Sequence, residues 1–279
     1  MILTCLNVLT KINVRYDLKT LTHKNGVEVD LYINQNPRRN TCIYFLYGGR
    51  WTTGRKEAFR FIAHKFLKAG YHVAIADYRK HPQVKFPAFV EDVAQGLVCV
   101  RDHFKTNHQT TIPLYVMGHS SGAHLGAMLC TDPQYLTQAG GDMSLIRGFI
   151  GMSGPYKFID YIEGSKDLPV MFAPPERYPD SQPVFLAQKA KEMPPMLLIH
   201  GEKDKHVLPL NTVTLAGFSH EKTDTKVLIV ERLGHLNIIA AFGLPFWPKQ
   251  TKMMMNAIDS FITLPISEAS ATPTTRQAQ

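Results

Sequence analysis

The run Gly118-His119-Ser120-Ser121-Gly122 constrains this chain more than any other stretch. It follows an apolar segment at 112–117 and precedes a helix-prone one at 123–130, so the order reads strand, tight turn, helix, with a serine at the apex. Gly-x-Ser-x-Gly carries meaning only in that context, where the bend lifts the serine hydroxyl off the sheet and aims the next helix N-terminus at it. Glycine at both ends removes Cβ atoms that so sharp a turn would force together. Ser120 is therefore a candidate nucleophile, and the plainer alternative is a strand-to-helix turn with a capping serine.

The flanking pattern predicts an α/β fold. Residues 27–33 alternate polar and apolar, as an edge strand with one solvated face does, and 34–40 carry turn chemistry. Residues 41–47 are almost continuously apolar, the signature of a strand buried on both faces, and they end on Gly48-Gly49. Helical periodicity is expected at 57–69, with Gly70 as its stop, and at 87–104 with proline near its start. Further strands are expected at 72–76, 146–152, 196–200 and 226–230, with helices at 207–218 and 252–262. Such alternation implies a mostly parallel sheet covered on both faces, whose sites form beyond the carboxyl ends of the strands. Ser120, Gly48 and Gly49 fall on that edge.

A chain of 279 residues can bury one large core, and we expect a single domain over 1–266 followed by a small, polar, disordered tail at 267–279. Between 154 and 195 the pattern loosens into a Pro-rich stretch bearing Tyr156, Phe158, Phe172, Tyr178 and Phe185. It reads either as a short lid or pocket wall or as a surface excursion packed by its own aromatics. The net charge is +8, but the basic residues fall in a few short pairs and mostly scattered singles without interleaved aromatics, which argues against nucleic acid. Cys5, Cys42, Cys99 and Cys130 are far apart and read as reduced core residues, not a disulfide framework or metal site. The first nine residues lack a basic n-region, and no apolar stretch is long enough to span a bilayer, so the expected compartment is the cytoplasm.

A serine hydroxyl is a weak nucleophile until a base takes its proton and a third group orients that base. Two loops at the edge of Ser120 offer these groups. Gly201-Glu202-Lys203-Asp204 follows the strand at 196–200, and Glu231-Arg232-Leu233-Gly234-His235 follows the strand ending at Val230. Asp204 is preferred to Glu202 because it lies further beyond the strand end. Of 12 histidines, His235 alone follows the last predicted strand on a glycine-preceded turn, whereas His119 is expected to shape the site. Acyl transfer also needs donors for a developing oxyanion, expected from the N–H of Ser121 and from Gly48-Gly49-Arg50. Other chemistries lack their residues. His220-Glu221 is followed at the second ligand position by Asp224, and Gly54 is followed by Arg55-Lys56 in place of a lysine and a hydroxyl. No Cys-x-x-Cys or Gly-x-Gly-x-x-Gly occurs, so no metal and no cofactor is expected.

Taken with Tyr47-Gly48-Gly49-Arg50-Trp51, Asp77-Tyr78-Arg79, Phe86-Pro87, Glu91-Asp92, Gly201 and Gly234-His235, the chain resembles the α/β-hydrolase superfamily from about 27 to 242. The resemblance is closest to the group that includes hormone-sensitive-lipase-like carboxylesterases and arylformamidases. It implies a nucleophile at Ser120, an acid at Asp204, a base at His235 and oxyanion donors at Gly49, Arg50 and Ser121. One departure is Tyr47, where that group usually has a loop-positioning histidine; a tyrosine hydroxyl can replace its hydrogen bond. The expected activity is cleavage of carboxylic esters with small to medium acyl groups through an acyl-enzyme. The alternatives are an arylformamidase acting on N-formylkynurenine and a non-catalytic module that binds a small ligand or protein.

Overall fold

The computed structural model describes residues 13–162, 165–166, 168–172 and 174–263. Cys5, the amino-terminal segment and the tail expected at 267–279 lie outside them in whole. Eight strands form one sheet in the order β1-β2-β4-β3-β5-β6-β7-β8. They are β1 (Tyr16–Thr22), β2 (Glu28–Asn34), β3 (Cys42–Leu46), β4 (His72–Ala76), β5 (Leu114–His119), β6 (Ile146–Met152), β7 (Met196–Gly201) and β8 (Thr225–Val230). Only β2 runs against its neighbours; the pairs from β4 to β8 are all parallel.

The runs of apolar residues explain which strands are central. Every residue of β3, β4 and β5 is buried, because helices cover both faces of a parallel sheet. The edge strand β1, YDLKTLT, is almost wholly solvent-facing. It shows no apolar run or clean alternation, so no strand was expected there; its pairing with β2 makes it one.

Elsewhere the elements shift by a few residues, for local reasons. The helix expected over 57–69 divides into a 3-10 turn, Lys56–Phe59, and an α-helix, Arg60–Ala69, ended by Gly70 at φ 97°. The helix expected from 207 begins at Leu210, because the chain before it carries Pro209 and the Val207 carbonyl accepts from His200 Nε2 at 2.8 Å. Pro248 opens the last helix, Pro248–Thr263, at the position where its missing N–H costs nothing. The loosened stretch after β6 holds short helical pieces at Ile159–Ile162, Leu168–Phe172, Pro175–Ser181 and Pro183–Lys189. Cys42 and Cys130 are buried free thiols, and Cys99 is a free thiol at the surface margin. No described helix is long and apolar enough to cross a membrane.

Candidate active site

Ser120 sits between β5 and the helix Ser121–Thr131 with φ 53° and ψ −125°, a strained conformation for a residue with a side chain. Its N–H donates to the Met152 carbonyl at 2.9 Å and its carbonyl accepts from His124 at 3.1 Å, so β6 and the new helix pin the turn from both sides. A Cβ on Gly118 would lie 2.4 Å from the Gly122 carbonyl oxygen, and one on Gly122 would lie 2.1 Å from that of Leu46. The turn therefore packs backbone on backbone, and only glycine fits at either end.

The loops after β7 and β8 meet at this turn. Ser120 Oγ donates to His235 Nε2 at 2.8 Å, and His235 Nδ1 donates to Asp204 Oδ2 at 2.8 Å. Asp204 is 3 % exposed, and burial by itself would raise its pKa. Hydrogen bonds from His200, His235 and the Val207 N–H outweigh that and hold the carboxyl well below the usual range. Its other oxygen accepts the N–H groups of His206 and Val207 at 3.0 and 2.9 Å. A carboxylate fixed in this way stays ionised and keeps the imidazole proton on Nδ1, leaving Nε2 free to accept. Glu202, the rival acid, instead accepts the Arg232 N–H at 3.0 Å and braces the loop that carries His235.

His119 does not touch the serine hydroxyl. Its Nε2–H donates to the His235 carbonyl at 2.9 Å, and burial lowers its pKa to about 3, so it is a neutral strut under the imidazole. His200, at the end of β7, was not singled out from the sequence. It is fully buried, with Nδ1 accepting from Thr212 Oγ1 at 2.8 Å and Nε2 lying 3.4 Å from Asp204 Oδ2. A histidine closing an otherwise apolar strand was the available signal.

The loop after β3 lies beside the serine. The Gly49 N–H donates to Ser121 Oγ at 3.0 Å, and Arg50 and Trp51 follow with φ 55° and 59°. Trp51 Nε1 donates to His124 Nδ1 at 3.2 Å, and His124 Nε2 donates to the Ser181 carbonyl at 2.8 Å. His124 thus ties this loop to the stretch after β6, and Trp51 packs edge-on against Phe172 with centroids 5.1 Å apart. Tyr47, where a histidine was expected, is stacked between Phe59 and Tyr78. Its hydroxyl donates to Asp77, which also accepts Lys80 Nζ at 2.7 Å.

Ser120, His235 and the 48–51 loop open into a cleft of about 930 Å³. Trp51, Phe59, Phe158, Leu168, Leu208 and Leu236 make its walls largely apolar. The stretch after β6 supplies Pro155, Phe158, Ser165, Lys166 and Leu168, so part of it forms one wall of the cleft. No group of three or more His, Cys, Asp or Glu side chains among the described residues is arranged to hold a metal ion.

Known proteins share this architecture. An esterase of Pyrobaculum calidifontis superposes with a TM-score of 0.73 over 95 % of this chain and 90 % of its own, at 17 % identity. A probable isoprenylcysteine alpha-carbonyl methylesterase of Oryza sativa subsp. japonica is 26 % identical over 75 % of this chain and 55 % of its own length. The kynurenine formamidase of Drosophila melanogaster is 26 % identical over 43 % of each chain. The chain spans about half the length of the curated relatives it matches. The BD-FAE family model matches residues 29–217, most of the sheet and the serine turn included. The chain has the α/β-hydrolase fold and belongs to the BD-FAE family.

Proposed function

We propose that this chain is a serine hydrolase that cleaves carboxylic esters, with Ser120 as nucleophile, His235 as base and Asp204 as the group that orients the base. The observation that carries the reading is the continuous hydrogen-bonded run from Ser120 Oγ through His235 to Asp204, both links 2.8 Å. Ser120 Oγ attacks the ester carbonyl carbon while its proton passes to His235 Nε2. Asp204 stabilises the imidazolium, and N–H donors from Gly49, Arg50 and Ser121 are the candidates to hold the oxyanion. Collapse breaks the bond to the alkoxide, which leaves as the alcohol with the proton from His235. Water then attacks the acyl-enzyme by the same route, releasing the acid and restoring Ser120.

The cleft's apolar walls suit a small to medium acyl group, in the size range typical of small-molecule pockets. A second reading, formamide cleavage, is favoured by the similarity to a kynurenine formamidase and would use the same three side chains. Turnover on p-nitrophenyl esters of graded chain length, set beside N-formylkynurenine, separates the two. Ser120→Ala should lower turnover on the order of a millionfold and abolish labelling by a fluorophosphonate probe. Near-normal hydrolysis by that variant would overturn the mechanism, and an unlabelled wild type would favour a binding module.

A further inference from the structure

The loop after β3 is joined to the serine turn by a side chain that the reaction above does not use. Ser121 is 1 % exposed, and its Oγ accepts the Gly49 N–H at 3.0 Å. The Tyr78 O–H donates to the Tyr47 carbonyl at 3.1 Å and so holds the root of the same loop. The Ser121 hydroxyl oxygen is thus engaged inside the protein.

The next peptide is pinned as well. The Gly49 carbonyl accepts the N–H groups of Thr52 and Thr53 at 3.1 and 3.0 Å and their hydroxyls at 3.2 and 3.1 Å. A trans peptide points its C=O and N–H in opposite directions, so holding this carbonyl sets the direction of the Arg50 N–H. Arg50 and Trp51 both lie in the left-handed region, which residues with a side chain keep only where neighbours hold them. Among the described residues, the N–H groups of Arg50 and Ser121 have no acceptor.

We propose that Ser121 is a positioning residue for the oxyanion site: its hydroxyl takes the Gly49 N–H out of use and fixes the loop so that the Arg50 and Ser121 N–H groups receive the substrate oxygen. The inference rests on the hydrolase reading and narrows its donor set. Gly49 is required for backbone geometry, since a Cβ there would lie 2.1 Å from the Thr53 carbonyl oxygen, and not for its proton.

The test compares Ser121→Ala, Ser121→Thr and Tyr78→Phe with wild type. Readouts are kcat and KM on a p-nitrophenyl ester, the inhibition constant of a trifluoromethyl ketone, the pH profile and hydrogen exchange at the Gly49 amide. Ser121→Ala should lower kcat about a hundredfold, as expected for a donor displaced by about 1 Å, while KM stays close to wild type. Ketone affinity should fall in step with kcat/KM, because its tetrahedral adduct uses the same donors. The pH profile should not move, since the Ser120, His235 and Asp204 contacts are untouched. The Gly49 amide should exchange faster. Ser121→Thr should restore kcat, ketone affinity and protection of the Gly49 amide, and Tyr78→Phe should give a smaller effect in the same direction. Turnover of Ser121→Ala at or above wild type would overturn the proposal, as would equal losses in KM and kcat that threonine does not repair. A wild type that no fluorophosphonate labels would remove the hydrolase reading itself, a failure distinct from loss of the Ser121 contact, which amide exchange reports without activity.

Discussion

Acidification to about pH 5 should remove a large part of this fold's stability, and two buried imidazoles set the size of the loss. His119 and His124 are 3 % and 0 % exposed. Burial holds their pKa values at about 3 and about 4, against 6.5 for a free imidazole; the neighbouring His235 pushes His119 the same way, and backbone hydrogen bonds oppose the shift only in part. Above the unfolded value neither state binds the proton. Below it the unfolded chain takes up protons that the folded chain refuses, so stability falls as pH drops from 6.5 toward about 4 and levels off below the folded values. At about pH 5 each group contributes a loss of about 2 kcal/mol, together about 4 kcal/mol, against a usual total of about 5–15 kcal/mol. His72, lowered to about 4 by burial, acts in the same direction. Urea unfolding followed by tryptophan fluorescence at about pH 7.5 and about pH 5 reads the difference. His124→Gln should be less stable at the higher pH, because its amide cannot match both the Trp51 and Ser181 contacts, yet lose about 2 kcal/mol less on acidification. Stability equal at the two pH values to within about 1 kcal/mol would refute the reasoning.

Two further perturbations test other parts of the molecule. Asp204→Asn replaces an acceptor with an amide that favours the wrong imidazole tautomer, and kcat on the same ester should fall about ten-thousandfold. A loss smaller than about tenfold would mean that Asp204 does not orient His235. Lys56, 6 % exposed, pairs with Asp30 at 2.8 Å, Glu28 at 3.1 Å and Glu57 at 3.2 Å. Lys56→Met strands the buried Asp30 carboxylate and should cost about 3–5 kcal/mol by urea unfolding, most of it recovered when Asp30→Leu is added. A double variant as unstable as the single one would contradict that account.

Periodicity was informative where burial is uniform. The strand at 72–76 is buried throughout and the one at 146–152 at every residue but Arg147, and both occupy the residues the pattern indicated. β1 was invisible for the opposite reason, because a solvent-facing edge strand is defined by its hydrogen bonds to β2 and not by any apolar pattern of its own. The 3-10 turn at Lys56–Phe59 was equally hidden, and its Lys56 is held by carboxylates of β2 that lie 26 or more residues away in the chain.

The sequence alone determined that a serine, a carboxylate and an imidazole would lie on loops at one edge of a parallel sheet. Apolar runs set strand direction, and strand direction decides which loops share an edge. Only the tertiary structure decided which groups touch: Asp204 and not Glu202 on His235, His119 on the His235 carbonyl, and Ser121 on the Gly49 N–H. Those contacts join residues 31, 116 and 72 positions apart. A hydrogen bond needs placement to within a few tenths of an ångström, and that precision comes from loops packing against one another, which no local pattern encodes.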